Sequence, residues 1–150
     1  MLDFIQSLIG KPPIIYIGFE DMKISIRNTT QHIIINTLSS MDQSCLIYGT
    51  IPIEKEESVI NEMLNRGHKD NFTILLYGRN SSDESVDKKW KQLMSLGFNR
   101  VYIYAGGLFE WLLLQEIYSD TEFPTTAVCK DLLRFRAPPA IHQIMPALTF

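Results

Sequence analysis

Four short runs of apolar, mostly β-branched or aromatic residues constrain this chain most: Ile14-Ile15-Tyr16-Ile17, His32-Ile33-Ile34-Ile35-Asn36, Thr73-Ile74-Leu75-Leu76-Tyr77 and Val101-Tyr102-Ile103-Tyr104. None alternates apolar with polar residues, so each reads as a strand buried on both faces. Segments of helical period lie between them. Phe19 to Asn28 reads as a short helix. Glu54 to Arg66 carries Val59, Ile60, Met63 and Leu64 on one stripe, with Glu54, Glu56 and Glu57 near its start, where the helix dipole favours anions. Gly67 supplies a stop. Ser85 to Leu96 is a third helix, stopped by Gly97, and Leu108 to Tyr118 a fourth. Strand and helix in alternation predict an α/β class with a mostly parallel sheet. Ile51-Pro52-Ile53 reads as a short edge piece, because Pro52 cannot donate to a ladder.

The two ends differ from this pattern. Residues 1–13 place Leu2, Ile5, Leu8 and Ile9 at helical spacing before Lys11-Pro12-Pro13 breaks the segment. Residues 121–150 carry Pro124, Pro138, Pro139 and Pro146 among scattered Leu, Ile and Phe, including Phe135 and Phe150. This reads as an extended tail with apolar anchors that wraps its own domain or docks on a partner. The expected organisation is therefore an apolar segment over 1–13, an α/β domain over 14–120 and a Pro-containing tail over 121–150.

At 150 residues and 45% hydrophobic, the chain is sized for one domain with a real core. A net charge of −3 gives no footprint for nucleic acid. No apolar run approaches the roughly 18 residues of a membrane span. Two cysteines, Cys45 and Cys129, make no disulfide framework, and the N-terminus lacks the basic region of a signal peptide. The expected location is cytoplasmic or otherwise intracellular.

In an open α/β sheet, sites form at the carboxyl ends of strands. The loop after the third strand, Gly78-Arg79-Asn80-Ser81-Ser82-Asp83-Glu84-Ser85, leads straight into a helix and can aim N–H groups at an anion. Yet Ser81-x-x-Glu84 has the form of a capping box, which would use those donors internally. Asp83 and Glu84 add negative charge, opposed by Arg79 alone. The expectation is a self-capped loop with no cofactor and no small-molecule substrate. His32, His68 and His142 stand apart without metal spacing. The 108–118 helix is apolar nearly all round, so either the tail or a partner covers it. Phe109, Trp111 and Trp90 are candidate anchors for a partner, with Leu2, Ile5, Leu8, Phe135 and Phe150.

Three stretches resemble the rhodanese family. Leu75-Leu76-Tyr77-Gly78 stands where the family has an apolar strand, a tyrosine and its catalytic cysteine. Leu93-x-x-x-Gly97-Phe98-x-x-Val101-Tyr102-x-x-x-Gly106-Gly107-x-x-x-Trp111 matches the family's landmarks in order and spacing. Ile47-x-Gly49-Thr50-Ile51-x-Ile53 resembles its "GHIPGAINI" segment. The resemblance spans roughly residues 14–118. It implies a three-layer domain, with helices on both faces of a central sheet of about five strands. It also implies that the nucleophile of a sulfurtransferase is missing here, because a persulfide needs a thiolate and position 78 is glycine. Asn36-Thr37-Leu38 stands where the family has Asp-Val-Arg, and Cys45-Leu46 where it has glycine-histidine. The loop is also about two residues longer than in simple sulfurtransferases, as in related phosphatases. Those need the same cysteine and an arginine where Asp83, Glu84 and Ser85 stand.

The long form with "GGLFEWLLLQEIY…EFPTT" resembles a subgroup that includes copies encoded by large DNA viruses. That resemblance implies a catalytically inactive module binding another protein or its own copy, as a scaffold or minor virion component. Two alternatives remain open. One is an enzyme of sulfurtransferase or phosphatase type that uses a relocated Cys45. The other is an anion or phosphopeptide reader built on the Gly78–Ser85 loop.

Overall fold

A computed structural model of the protein describes residues 12–67 and 70–141. The four apolar runs form strands β1 (Ile15–Ile17), β2 (His32–Asn36), β3 (Thr73–Tyr77) and β4 (Val101–Tyr104). They make one parallel sheet in the order β1-β4-β3-β2. The helices are α1 (Phe19–Ile26), α2 (Ile53–Asn65), α3 (Glu84–Ser95) and α4 (Gly107–Ile117).

Side-chain alternation along each strand divides the core into two. Ile34, Leu75, Tyr77 and Tyr104 face Met22 of α1 and Leu108, Trp111 and Leu112 of α4. Ile33, Ile35, Ile74, Leu76, Val101 and Ile103 face Met63 of α2 and Val86, Trp90 and Leu93 of α3. The result is an α/β/α sandwich. Gly67 and Gly97, at φ +67° and +99°, terminate α2 and α3 in the left-handed region, where a Cβ would be strained.

The sheet has four strands rather than five. The segment expected as an edge strand touches β2 only through a single parallel bridge, Ile34 to Thr50, and through the Ile51 N–H donating to the Ile34 carbonyl at 2.9 Å. Pro52 then starts α2 one residue later, ending any ladder. What fixes this segment is side-chain bonding. The Ile47 N–H donates to the Tyr77 hydroxyl at 3.1 Å, and Thr50 Oγ1 lies 2.8 Å from that hydroxyl and 2.6 Å from the Ile47 carbonyl. Each polar group in this buried cluster is thereby satisfied, as the interior requires.

The tail packs on the chain's own domain as far as it is described. Thr125 forms an antiparallel bridge with Ile47, and Phe123 and Phe135 enter the core beside α1 and α4. The Trp111 indole donates to the Pro124 carbonyl at 3.1 Å. This covers part of the apolar surface of α4, while Ile117 and Tyr118 stay exposed.

Candidate functional site

Position 78 closes β3 and opens the loop. The loop is shaped by Asp83, the N-cap of α3. Its Oδ1 accepts from the Ser85 N–H at 3.0 Å and the Ser85 hydroxyl at 2.7 Å, and its Oδ2 accepts from the Arg79 N–H at 2.9 Å. Asn80 Oδ1 accepts from the Ser82 N–H at 2.9 Å. Backbone donors at 79, 82 and 85, which could cradle an anion, are thus bound to oxygens of the loop itself. The capping box is not what forms: Ser81 is exposed, and Asp83, directly before the helix, takes the cap instead.

Glycine at 78 is a matter of space. A Cβ there would lie 2.4 Å from Asp83 Oδ2 and 2.5 Å from Val86 Cγ2. The far side of the loop is held by α4, whose Leu108 and Phe109 N–H groups donate to the Gly78 and Arg79 carbonyls, both at 2.9 Å. Gly107, at φ +65°, permits that approach, since a Cβ would stand 2.8 Å from the Gly78 carbonyl oxygen.

The tail then crosses the loop. Residues Leu132–Phe135 form a 3₁₀ turn. Asn80 Nδ2 donates to the Phe135 carbonyl at 2.9 Å, and the Arg79 guanidinium lies 5.2 Å from the Phe135 ring centre while bonding the Arg134 carbonyl. Asp42, with a side chain only 5% exposed, ties loop to tail: Arg79 Nη1 reaches Oδ2 at 2.6 Å and Arg134 Nε reaches Oδ1 at 2.7 Å. Burial alone would raise the Asp42 pKa. Hydrogen bonds from Arg134 and Ser39 and the fields of both arginines outweigh it and hold the carboxyl below its ordinary value of 3.8.

The sign follows from linkage. A carboxyl with a lower pKa folded than unfolded adds stability above the unfolded value and loses it as pH falls through the folded one. The stability gap between the native protein and Asp42→Asn should therefore be widest at neutral pH and shrink below about pH 4. Urea midpoints of both proteins across that range measure it.

The expected site residues separate sharply. Gly78 to Ser85 form one structured loop. Trp90, Trp111 and Phe135 are 5%, 0% and 3% exposed, so they are core residues and not exposed anchors. The Trp90 indole is also taken by the Val101 carbonyl at 3.1 Å. Their aromatic character, read as a partner surface, reflects the two-sided core. Phe109 is half-buried. Leu2, Ile5, Leu8 and Phe150 lie outside the described residues, as do His68 and His142. His32 Nδ1 lies 2.8 Å from Ser25 Oγ. Among the described residues no group of three His, Cys, Asp or Glu side chains could hold a metal, and no helix is long and apolar enough to cross a membrane.

Cys45 is buried, and its thiol meets the Ala127 carbonyl at 3.4 Å. Burial pushes its pKa up to about 11, which leaves little thiolate at neutral pH. Asp42 and Arg134, 92 residues apart, had no local signal in the sequence. Neither did the amide pair of Asn36 and Gln43, bonded both ways at 3.1 and 2.8 Å, which shapes the turn after β2.

The family described as "Rhodanese-like domain" matches residues 25–114, more than half of the chain. A search of curated proteins finds no match. Among solved structures, the fold resembles Ygr203w, a yeast protein tyrosine phosphatase of the Rhodanese family, at TM-score 0.57 and 14% identity over 82% of this chain and 99% of that one. It also resembles the Alr3790 protein from Anabaena sp. (TM-score 0.53, 22% identity, 75% of this chain and 92% of that one). A third similar structure is RDL2, a single domain sulfurtransferase of Saccharomyces cerevisiae (0.50, 12%, 73% and 97%). Sheet order, the two-sided core and this match agree: the chain belongs to the rhodanese-like domain family.

Proposed function

We propose that this chain is a rhodanese-like module without sulfur-transfer or phosphatase chemistry, and that it works by binding a protein as a scaffold or minor component of a larger assembly. One observation carries the reading. Where the family's resemblance expects a nucleophile stands Gly78, and the space its side chain would need is filled by the Asp83 carboxylate. Asp83 also takes the amides a substrate anion would use. A carboxylate in that position repels an anion and would raise the pKa of a thiol beside it. Cys45, buried and protonated, is a poor substitute nucleophile.

The partner's place is the cleft of about 560 Å³ between loop and tail, where Arg79, Arg134, Arg136, Pro138 and Pro139 meet Glu84. Turnover of thiosulfate and cyanide to thiocyanate should stay at background for the native protein and for Cys45→Ser alike. Turnover well above background that disappears in Cys45→Ser overturns the reading. For the binding half, Arg136→Glu should release a protein that the native chain retains from a cell extract, since Arg136 is exposed and its guanidinium bonds the Leu133 carbonyl at 2.8 Å. Equal retention by both assigns the contact elsewhere and removes this cleft.

A further inference from the structure

The geometry points to Cys45 and Cys129 as a redox pair, closing a reversible disulfide that locks the tail to the body of the domain. This goes beyond the binding reading and does not depend on it.

The register between the two segments comes first. Ile47 bridges Thr125 antiparallel, and the Thr126 N–H donates to the Leu46 carbonyl at 2.8 Å. The Leu46 N–H returns to Thr126 Oγ1 at 3.0 Å, and the Cys45 thiol meets the Ala127 carbonyl. In this register Cys45 lies opposite Ala127. A ladder continued in this register would put Cys129, two residues further along, on the same side as a diagonal neighbour. The bends over 126–127 turn the chain, and Cys129 packs half-buried against the same core cluster that holds Cys45. Both are free thiols. Nothing in the loop chemistry uses either.

The reaction balances with glutathione disulfide as oxidant. Cys129 is the more exposed thiol. Its thiolate attacks one sulfur of glutathione disulfide, breaking that S–S bond and releasing one glutathione thiolate. Cys45 is a poor nucleophile toward a free substrate, but the mixed disulfide is held in its own cluster, so its sulfur attacks the Cys129 sulfur while its proton passes to the departing second glutathione. Two protein thiols are oxidised and one glutathione disulfide is reduced to two glutathiones. A reducing poise keeps the pair open, and a more oxidising one closes it. The closed form joins residues distant in sequence, which restricts the unfolded chain.

The test uses the full chain, equilibrated across a series of reduced and oxidised glutathione ratios. Acid quenching, alkylation with iodoacetamide and intact mass then count the free thiols. At the oxidising end both alkylations should vanish, and a peptide linking Cys45 to Cys129 within one chain should appear. The melting midpoint should rise by about 5–15 °C. Reduction with dithiothreitol should reverse all three. Cys45→Ser and Cys129→Ser should each abolish the rise, and Cys45→Ser should carry glutathione on Cys129. A stable glutathione adduct on Cys129 beside an alkylatable Cys45 in the native protein overturns the pair. So does a linkage found only between two chains.

Discussion

Phe135→Ala should lower the stability of the protein by about 3–5 kcal/mol, the usual cost of truncating a buried aromatic ring. The ring is 3% exposed and packs in the cluster formed by β3, β4 and α4. Its removal leaves a cavity and strips the Arg79 guanidinium of the ring beside it. The same residue anchors the tail on the loop through the Asn80 bond to its carbonyl. Loss of packing therefore loosens the cover as well as the core. Urea unfolding reads the stability, and protease cleavage between residues 130 and 141 reads the cover. A variant as stable as the native protein, with an uncut tail, would mean that the 3₁₀ turn is held by Asp42 and Arg134 alone.

Gly78→Cys puts a thiol where the proposed reading looks for the family's nucleophile, yet it should give no turnover and should cost about 1–3 kcal/mol, the range for overpacking a filled core. The new Cβ would stand 2.4 Å from Asp83 Oδ2 and 2.5 Å from Val86 Cγ2. Val86 is 3% exposed and cannot retreat freely. Asp83 can, but only by giving up its bonds to the Arg79 and Ser85 N–H groups and with them the cap of α3. Parallel unfolding curves for Gly78→Ala and Gly78→Cys separate the steric cost of the Cβ from anything particular to sulfur. Equal stability of native, Ala and Cys proteins would show that the loop has slack the geometry denies.

Much of the fold was legible in the sequence because β2, β3 and β4 are buried on both faces. That burial writes them as uninterrupted apolar runs, and their bounds fall where His32–Asn36, Thr73–Tyr77 and Val101–Tyr104 put them. The edge strand β1 departs from that expectation: Ile15 and Tyr16 are exposed despite the apolar run. Helix ends shifted by one or two residues, where caps compete. The shift at α3 is informative, since Ser81 and Asp83 both offer an oxygen and the carboxylate nearer the helix takes the cap. Among the described residues the expected edge piece forms no fifth strand, because Pro52 starts α2 directly after the bridge at Thr50.

The candidate site was legible only locally. Gly78, Arg79 and Asp83 are close in sequence, so their opposition could be read from spacing. The long-range ties could not. Asp42 carries no pattern that marks it as the holder of Arg79 and Arg134, and Cys45 and Cys129 look like two unrelated thiols until the tail folds back. That Trp90 and Trp111 are buried within the chain was not legible for a related reason. Local sequence gives a large aromatic residue on a helix, and only the opposing layer decides whether it meets a strand or solvent.

The central proposal is that Gly78 takes the place of the family's nucleophile and that the Asp83 carboxylate fills the space its side chain would need. Incubating the native protein with thiosulfate and weighing it intact tests this most directly, because a loaded sulfurtransferase keeps the transferred sulfur as a persulfide. The account predicts an unchanged mass for the native protein and for Cys45→Ser and Cys129→Ser. A gain of about 32 Da, one sulfur atom, that cyanide removes and that either cysteine variant abolishes would contradict it.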